Sequence, residues 1–390
     1  MEVVFIDSEP AGPAGGGIRT YLRLAMDICR DAGVSTRVYT HAPEAFPGRT
    51  AAPIGRRDWL PRPWRGLAYK LAYHDNVLWE HARWLRDELE AKDVPGTVYE
   101  FCDFQGYAYF ALRSHILRPR SIVRVHTPAY LTLSPPRGIK ARLSSAMLAY
   151  RERDTLLGRG RVTVPSAAFV AERLPWLRDG LHLPNPLPPA SVRGSAPRGA
   201  SKGGGPHILY LGRIEARKGV LTLLAGFLRL AKEDSGPTLT LVGADVQPYA
   251  DKVRSLLESV PPALRARVSW EAPCPPEKRD ALLERFDILA VPSLWENSPY
   301  TYFEGMAAGL VCAGAATGEM KEAAQAMDGL LARPGDPDDW TRVLSEAVEI
   351  SRDAARRSAL VSAQTAYLDG RRADIPKEML ELYREVAGEP

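Results

Sequence analysis

Short apolar runs alternate along the chain with longer stretches whose apolar residues recur every three or four positions. The first run, VVFID at residues 3–7, has the length and side chains of a compact strand. After the loop SEPAGPAGGG, the segment IRTYLRLAMDICRDAG places Ile18, Leu22, Ala25 and Ile28 near one helical face and stops at Gly33. TRVYT predicts the next strand, the Pro- and Arg-rich residues 43–63 a loop, and residues 69–89 a helix. GTVYEF and SIVRVH predict strands, ARLSSAMLAYRERDTLL a helix, RVTVPS a strand and AAFVAERL a short helix.

At residues 183–206 the period disappears into LPNPLPPASVRGSAPRGASKGGGP, a stretch dominated by Pro, Gly and Ser. Strand and helix signals then resume: HILYLG, GVLTLLAGFLRLAKE, TLTLVG, a helix over 250–259, RVSWEA, PEKRDALLERF and DILAVPS, with LVCAGA and GLLAR as later strands. Asp336, Pro337 and Asp339 read as the cap, first position and first-turn acid of another helix. Residues 354–386 read as helices broken near Gly370. Strands that alternate with helices build parallel sheets, and continuous apolar strands are buried on both faces. The expected fold class is therefore α/β, with two doubly wound Rossmann-like domains at residues 1–190 and 207–365, joined by a linker at 191–206.

Composition narrows the class. The chain has 390 residues, 45% hydrophobic and 25% charged, which is globular. No run reaches the roughly 18 apolar residues of a membrane span, and the N-terminus lacks the basic start and long apolar centre of a signal peptide. Cys29, Cys102, Cys274 and Cys312 are far apart, so buried reduced thiols and a cytoplasmic location are expected. The charge is uneven: residues 1–185 hold 26 Lys and Arg against 19 Asp and Glu, although the whole chain is only +4. Such a surface suits phosphorylated substrates or peripheral contact with an anionic membrane. No paired Cys/His spacing or aromatic RNP-like strand is present, so no nucleic-acid partner is expected.

Ligands of doubly wound sheets sit beyond the carboxyl ends of the strands, so residues there carry most weight. Arg213 and Lys218 lie in the loop after HILYLG, where two cations beside a helix N-terminus make an anion site; two solvated cations are the plain alternative. Gly15, Gly16 and Gly17 follow the first strand and permit close approach of a ligand, but the dinucleotide fingerprint is absent. His126 ends a strand. PSLWENSPYTYFEGMAAG places Glu296 in the loop beyond DILAVPS and Glu304 on the following helix, with Pro299 in the first turn, Asn297 or Ser298 as cap and Gly309 as stop. Carboxylates are good double acceptors for sugar hydroxyls, and the helix start adds N–H donors from Tyr300 and Thr301.

Together these residues resemble the retaining glycosyltransferases of the GT-B fold, and are most similar to glycosyltransferase family 4. The likeness covers most of the chain and is strongest over 208–322, where LGRIEARKGV, LVG and the paired-glutamate stretch occur in the family's order. The glycine loop, His126, Ser166 in VPS and Asn185 in LPNP also fit. The resemblance implies two domains facing across a cleft, with the C-terminal helix of residues 366–390 crossing back to the first. It implies that Arg213 and Lys218 hold the diphosphate of a nucleotide sugar, Glu304 the ribose, and Glu296 the transferred sugar. Asn297, Ser298, Tyr300 and Thr301 would line the donor, the glycine loop would close over the diphosphate, and His126 would stand near the reacting face. The expected donor is a UDP-sugar, with a GDP-sugar second. The acceptor is a glycan, a lipid-linked sugar or a small natural product, with Glu100, Asp103 and Tyr107 as its candidate contacts. No metal and no further cofactor are expected, since fixed cations replace the metal in this fold and Asp336-Pro337-Asp338 reads as a helix cap. Pro299 stands where the family has glycine and Gly305 where it has alanine. A nucleotide-sugar epimerase and a non-catalytic sugar-nucleotide-binding relative are the competing readings.

Overall fold

A computed structural model of the chain describes residues 1–9, 16–58, 60–132, 138–188, 205–245 and 249–389. Seven parallel strands, β1 (Glu2–Ile6), β2 (Ser35–Thr40), β3 (Ala51–Pro53), β4 (Thr97–Cys102), β5 (Ser121–Arg124), β6 (Arg161–Val164) and β7 (Gly180–His182), form one sheet in the order β3-β2-β1-β4-β5-β6-β7. Six more, β8 (His207–Leu211), β9 (Thr238–Val242), β10 (Val268–Glu271), β11 (Ile288–Val291), β12 (Val311–Ala315) and β13 (Leu330–Ala332), form a second in the order β10-β9-β8-β11-β12-β13. The first sheet carries helices α1 (Gly17–Asp31), α2 (Arg62–Ala91), α3 (Ala129–Thr132) and α4 (Ile139–Leu156). After α5 (Ala167–Arg173) come α6 (Val220–Glu233), α7 (Ala250–Glu258), α8 (Pro262–Arg265), α9 (Arg279–Leu283), α10 (Tyr300–Ala307), α11 (Gly318–Met327) and α12 (Pro337–Arg352), and α13 (Ala354–Ala387) ends the chain. The α/β alternation thus yields two doubly wound parallel sheets, as the apolar pattern predicts.

The chain divides into two compact units: unit 1 is Met1–Pro165, Leu174–Pro186 and Asp374–Pro390, and unit 2 is Ser166–Arg173 with Leu187–Ala373. Within unit 2, α6 lies on α12 closely enough that a Cβ on Gly226 would stand 2.9 Å from the Cβ of Trp340, which is fully buried. Most of the expected linker lies outside the described residues.

Four elements differ from expectation. Residues 51–53, expected as loop, form the edge strand β3, a place where Pro53 is tolerated. Helix α2 begins at Arg62 because Pro61 and Pro63 suit a helix start, where no intrahelical bond is lost. The segment Ser166–Arg173 belongs to unit 2: Glu322 on α11 accepts from Ser166 Oγ at 2.9 Å and from the Ala168 amide at 2.7 Å. Finally, α13 runs through Gly370 without a break, and its unit changes at Ala373, not at residue 366. A glycine inside a helix costs about 1 kcal/mol, and the buried face of Leu368, Ile375, Met379, Leu382 and Tyr383 overrides it. Asp336 caps α12 as expected, accepting from the amides of Asp338 at 3.0 Å and Asp339 at 3.1 Å.

Candidate functional site

In each sheet the chain leaves a central strand, builds outward to one edge, then returns to the other side of that same strand. β8 and β11 are the neighbours at this switch in unit 2, and β1 and β4 in unit 1. Loops leaving the carboxyl ends of such a pair diverge, and the crevice between them is where parallel α/β sheets bind ligands. In unit 2 the expected residues all lie on the two segments that follow β8 and β11.

Those segments are pinned together by backbone. After β8, one 3-10 turn (Ala216–Lys218) leads to Gly219, which caps α6 at φ 65°. A Cβ at Gly219 would lie 1.9 Å from the Pro292 carbonyl oxygen, so only glycine lets the segments pass. The Leu294 amide donates to the Arg217 carbonyl at 2.8 Å. On the other side, the Glu319 amide donates to the Asn297 carbonyl at 2.8 Å, and Gly318, at φ 52°, comes so near that a Cβ would stand 2.0 Å from the Glu296 carbonyl oxygen. The result corrects the expected helix start: Pro299 is the N-cap of α10, in extended conformation, and neither Asn297 nor Ser298 caps with its side chain. The clamped loop bends at Leu294, Trp295 and Asn297 and reaches Pro299 in extended backbone. Tyr300 and Thr301 then open the first turn, where N–H groups lack intrahelical acceptors.

The side chains converge on Glu296. Its Oε1 accepts from Lys218 Nζ, from Arg217 Nη1 at 3.2 Å and from Ser293 Oγ at 2.8 Å. Burial on its own would raise this carboxyl; the charges of Lys218 and Arg217, with hydrogen bonds from Lys218 and Ser293, overturn that and bring it down to about 2. Burial in turn lowers the Lys218 ammonium, with Glu296 opposing. Arg213 is the outer cation, its side chain 54% exposed and its Nη2 3.3 Å from Glu215 Oε1. On α10, Glu304 receives Arg279 Nη1 at 2.8 Å on one oxygen and 3.1 Å on the other. A carboxylate offers about four lone-pair sites, so this pair leaves acceptor capacity for further hydroxyls.

Unit 1 places its expected residues differently. Gly15 lies outside the described residues. Gly16 and Gly17 begin α1, but the Gly16 amide already donates to Glu9 Oε2 at 3.1 Å. Burial raises the Glu9 carboxyl, and Asp7 adds to the shift. Asp7, fully buried at the end of β1, accepts from Arg19 Nε at 2.9 Å and Thr40 Oγ1 at 2.7 Å. Glu100, expected at the acceptor, is a core carboxylate: Tyr21 OH donates to one oxygen at 2.6 Å and Tyr383 OH to the other at 2.7 Å. Asp103 does lie beyond β4, where its Oδ1 holds the amides of His126 at 2.9 Å and Thr127 at 3.4 Å. Burial raises the Asp103 carboxyl to about 8 against those amides. The His126 ring packs edge-on to Tyr21 at 4.8 Å, and burial, with Arg124, holds it well below the usual imidazole range. Tyr107 is buried, its hydroxyl 2.9 Å from His41 Nε2 and 3.1 Å from His81 Nδ1. Asn185 Oδ1 accepts from Arg124 at 2.7 Å.

The structure therefore gathers Arg213, Lys218, Glu296 and Glu304 on two adjoining segments of unit 2, while Gly16, Asp103 and His126 stand at strand ends of unit 1. Sequence reasoning missed Arg217, Ser293, Arg279, Asp7 and Glu9. Arg217 and Ser293 each lie within three residues of a site residue that was found, and Asp7 ends the first strand; that adjacency is the signal available.

Residues 205–349 match the family model described as Glycosyl transferases group 1. Over 373 residues the chain is 24% identical to the D-inositol 3-phosphate glycosyltransferase of Nocardia farcinica, covering 90% of this chain and 81% of that protein. Over 113 residues it is 29% identical to granule-bound starch synthase 1 of wheat (Triticum aestivum), covering 29% of this chain and only 18% of that protein. The crystal structure of Anabaena HepE in complex with UDP-glucose superposes with a TM-score of 0.71 at 17% identity, covering 99% of this chain and 100% of that one. The fold is thus that of the GT-B glycosyltransferases, and the stretch that matches the group 1 model lies within unit 2.

Proposed function

We propose that the chain is a retaining, metal-independent glycosyltransferase that moves a sugar from a nucleoside-diphosphate sugar, UDP first and GDP second, to a glycan, lipid-linked or small-molecule acceptor. The observation that carries this reading is the convergence of Lys218, Arg217 and Glu296 at the switch between β8 and β11, with Arg213 exposed beside them. When a glycosyl group leaves a diphosphate, negative charge builds on the phosphate oxygens. Fixed cations and helix-start amides stabilise that charge most in the transition state, which lowers the barrier. Arg213 and Lys218 supply the cations, and their presence supports a reaction that needs no divalent ion. Glu304 takes the ribose hydroxyls and Glu296 a hydroxyl of the transferred sugar. A carboxylate held down to about 2 by two cations is a weak nucleophile, which favours attack by the acceptor on the face the diphosphate leaves. His126 of unit 1 stands near the reacting face of the donor sugar, and Asp103 serves the acceptor. The work is done in the cytoplasm. On α4, Ile139 is 87% exposed and Leu143 43%, next to Lys140 and Arg142, and this pattern supports peripheral contact with an anionic membrane.

The test is a thermal-shift series in excess EDTA with UDP, GDP, ADP, dTDP and NAD. A ligand that binds only the folded state raises the melting temperature once its concentration passes Kd. A shift with one nucleoside diphosphate, lost in Lys218→Ala and Glu304→Ala, is expected. No shift with any of them, or a shift with NAD alone, overturns the reading.

A further inference from the structure

Three donors crowd onto one oxygen of Glu296, and among the described residues no hydrogen bond is made to the other. Lys218 Nζ, Arg217 Nη1 and Ser293 Oγ all address Oε1. Arg217 is fixed from several sides. Its Nη2 is 3.0 Å from Glu215 Oε1, its Nη1 reaches the Trp295 carbonyl at 3.4 Å, and its guanidinium lies 4.7 Å from the Trp295 ring centroid. The same ring is met by Arg173 of α5 at 4.8 Å and by Phe169 at 6.3 Å. Arg217 is 17% exposed at its side chain, against 54% for Arg213.

We propose that Arg217 is a positioning residue: stacked on Trp295 and tied to Glu215, it anchors Glu296 by Oε1 so that Oε2 alone is offered to a hydroxyl of the bound sugar. This rests on the sugar-nucleotide reading of the site. Its logic is exchange. Lys218 cannot both neutralise Glu296 and hold a phosphate at full strength. Were it the sole partner, turning towards the phosphate would strand a buried carboxylate, which is strongly unfavourable. Arg217 and Ser293 keep Oε1 satisfied while Lys218 turns, so donor binding does not loosen the carboxylate that reads the sugar. The planar fork of arginine suits this task, since it can bond two carboxylates and stack on an aromatic face at once.

The experiment uses the full chain with Arg217→Met, Glu296→Gln and both together. UDP and UDP-glucose binding are measured by calorimetry, and the Glu296 carboxyl is titrated by carbon NMR, assigned by its loss in Glu296→Gln. Arg217→Met is expected to leave UDP affinity within twofold, to weaken UDP-glucose about tenfold, and to add nothing further in the Glu296→Gln background. The carboxyl midpoint is expected to rise. Equal tenfold losses for UDP and UDP-glucose would mean that Arg217 grips the diphosphate itself, and additive losses would mean that it acts apart from Glu296; either overturns the proposal. If wild type binds neither nucleotide, the choice of UDP as donor base fails on its own account and the titration decides, an unmoved midpoint overturning the anchor and a raised one upholding it. Should Arg217→Met not fold, Arg217→Lys, which keeps the charge but not the fork, makes the same comparison.

Discussion

Glu296 gains its ionised state from Lys218, Arg217 and Ser293, which meet it only in the fold. Because its carboxyl is lowered from the ordinary 4.5 to about 2, the stability it contributes is fully present above pH 4.5 and is lost as pH falls towards 2. The melting-temperature gap between wild type and Glu296→Gln is therefore expected to narrow from pH 5 to pH 2.5; a constant gap would mean the pair contributes nothing. The glycines beside it are as demanding. A Cβ at Gly318 meets a carbonyl oxygen at 2.0 Å in a left-handed conformation, so Gly318→Ala should lose more than about 2 kcal/mol in denaturant unfolding. At this scale the sequence was legible where spacing carries the chemistry. Lys218, Glu296 and Glu304 could be found from strand ends and a seven-residue gap. Arg217 could not, because an arginine in a basic loop reads as solvated until its partners are seen. The burial of Glu100 was hidden for a related reason: its strand is buried on both faces, so no polar alternation marks an inward acid, and its two phenol donors come from 79 and 283 residues away.

At the level of elements, α13 shows where local propensity yields to packing. Gly370 sits in open space with no left-handed backbone, so Gly370→Ala is expected to stabilise the chain by up to about 1 kcal/mol, measured by the urea midpoint. The same helix supplies Tyr383. Tyr383→Phe removes the donor on Glu100 Oε2 and leaves a buried acceptor unsatisfied, a loss of about 1–3 kcal/mol in the same measurement. The helix itself was readable from its period, whereas its continuity was not, because a glycine signal cannot show that apolar contacts on both sides outweigh it. The cap at Asp336 is the opposite case, a local device read correctly from local residues.

Across the whole molecule, unit 1 buries acids that prefer to be neutral. Burial raises Asp103 to about 8 and Glu152 to about 7, so their contribution is complete at low pH and is lost as pH rises through those values. Thermal stability is expected to fall between pH 5 and pH 8, and Asp103→Asn to flatten that decline; an unchanged slope would show that Asp103 titrates normally. The two-sheet plan was legible because parallel strands write themselves as apolar runs between amphipathic helices. The membership of residues 166–173 was not, since it depends on partners brought from far along the chain, Glu322, Thr317 and Trp295 among them. The division of segments also sets an order in time. Apart from one short helix, unit 2 is a single stretch that ends at Ala373, whereas unit 1 needs Asp374–Pro390. On the ribosome the part translated first is therefore completed last. Until Tyr383 emerges, Glu100 stays short of a donor, and the nascent first sheet waits for a segment made some 270 residues after its fourth strand.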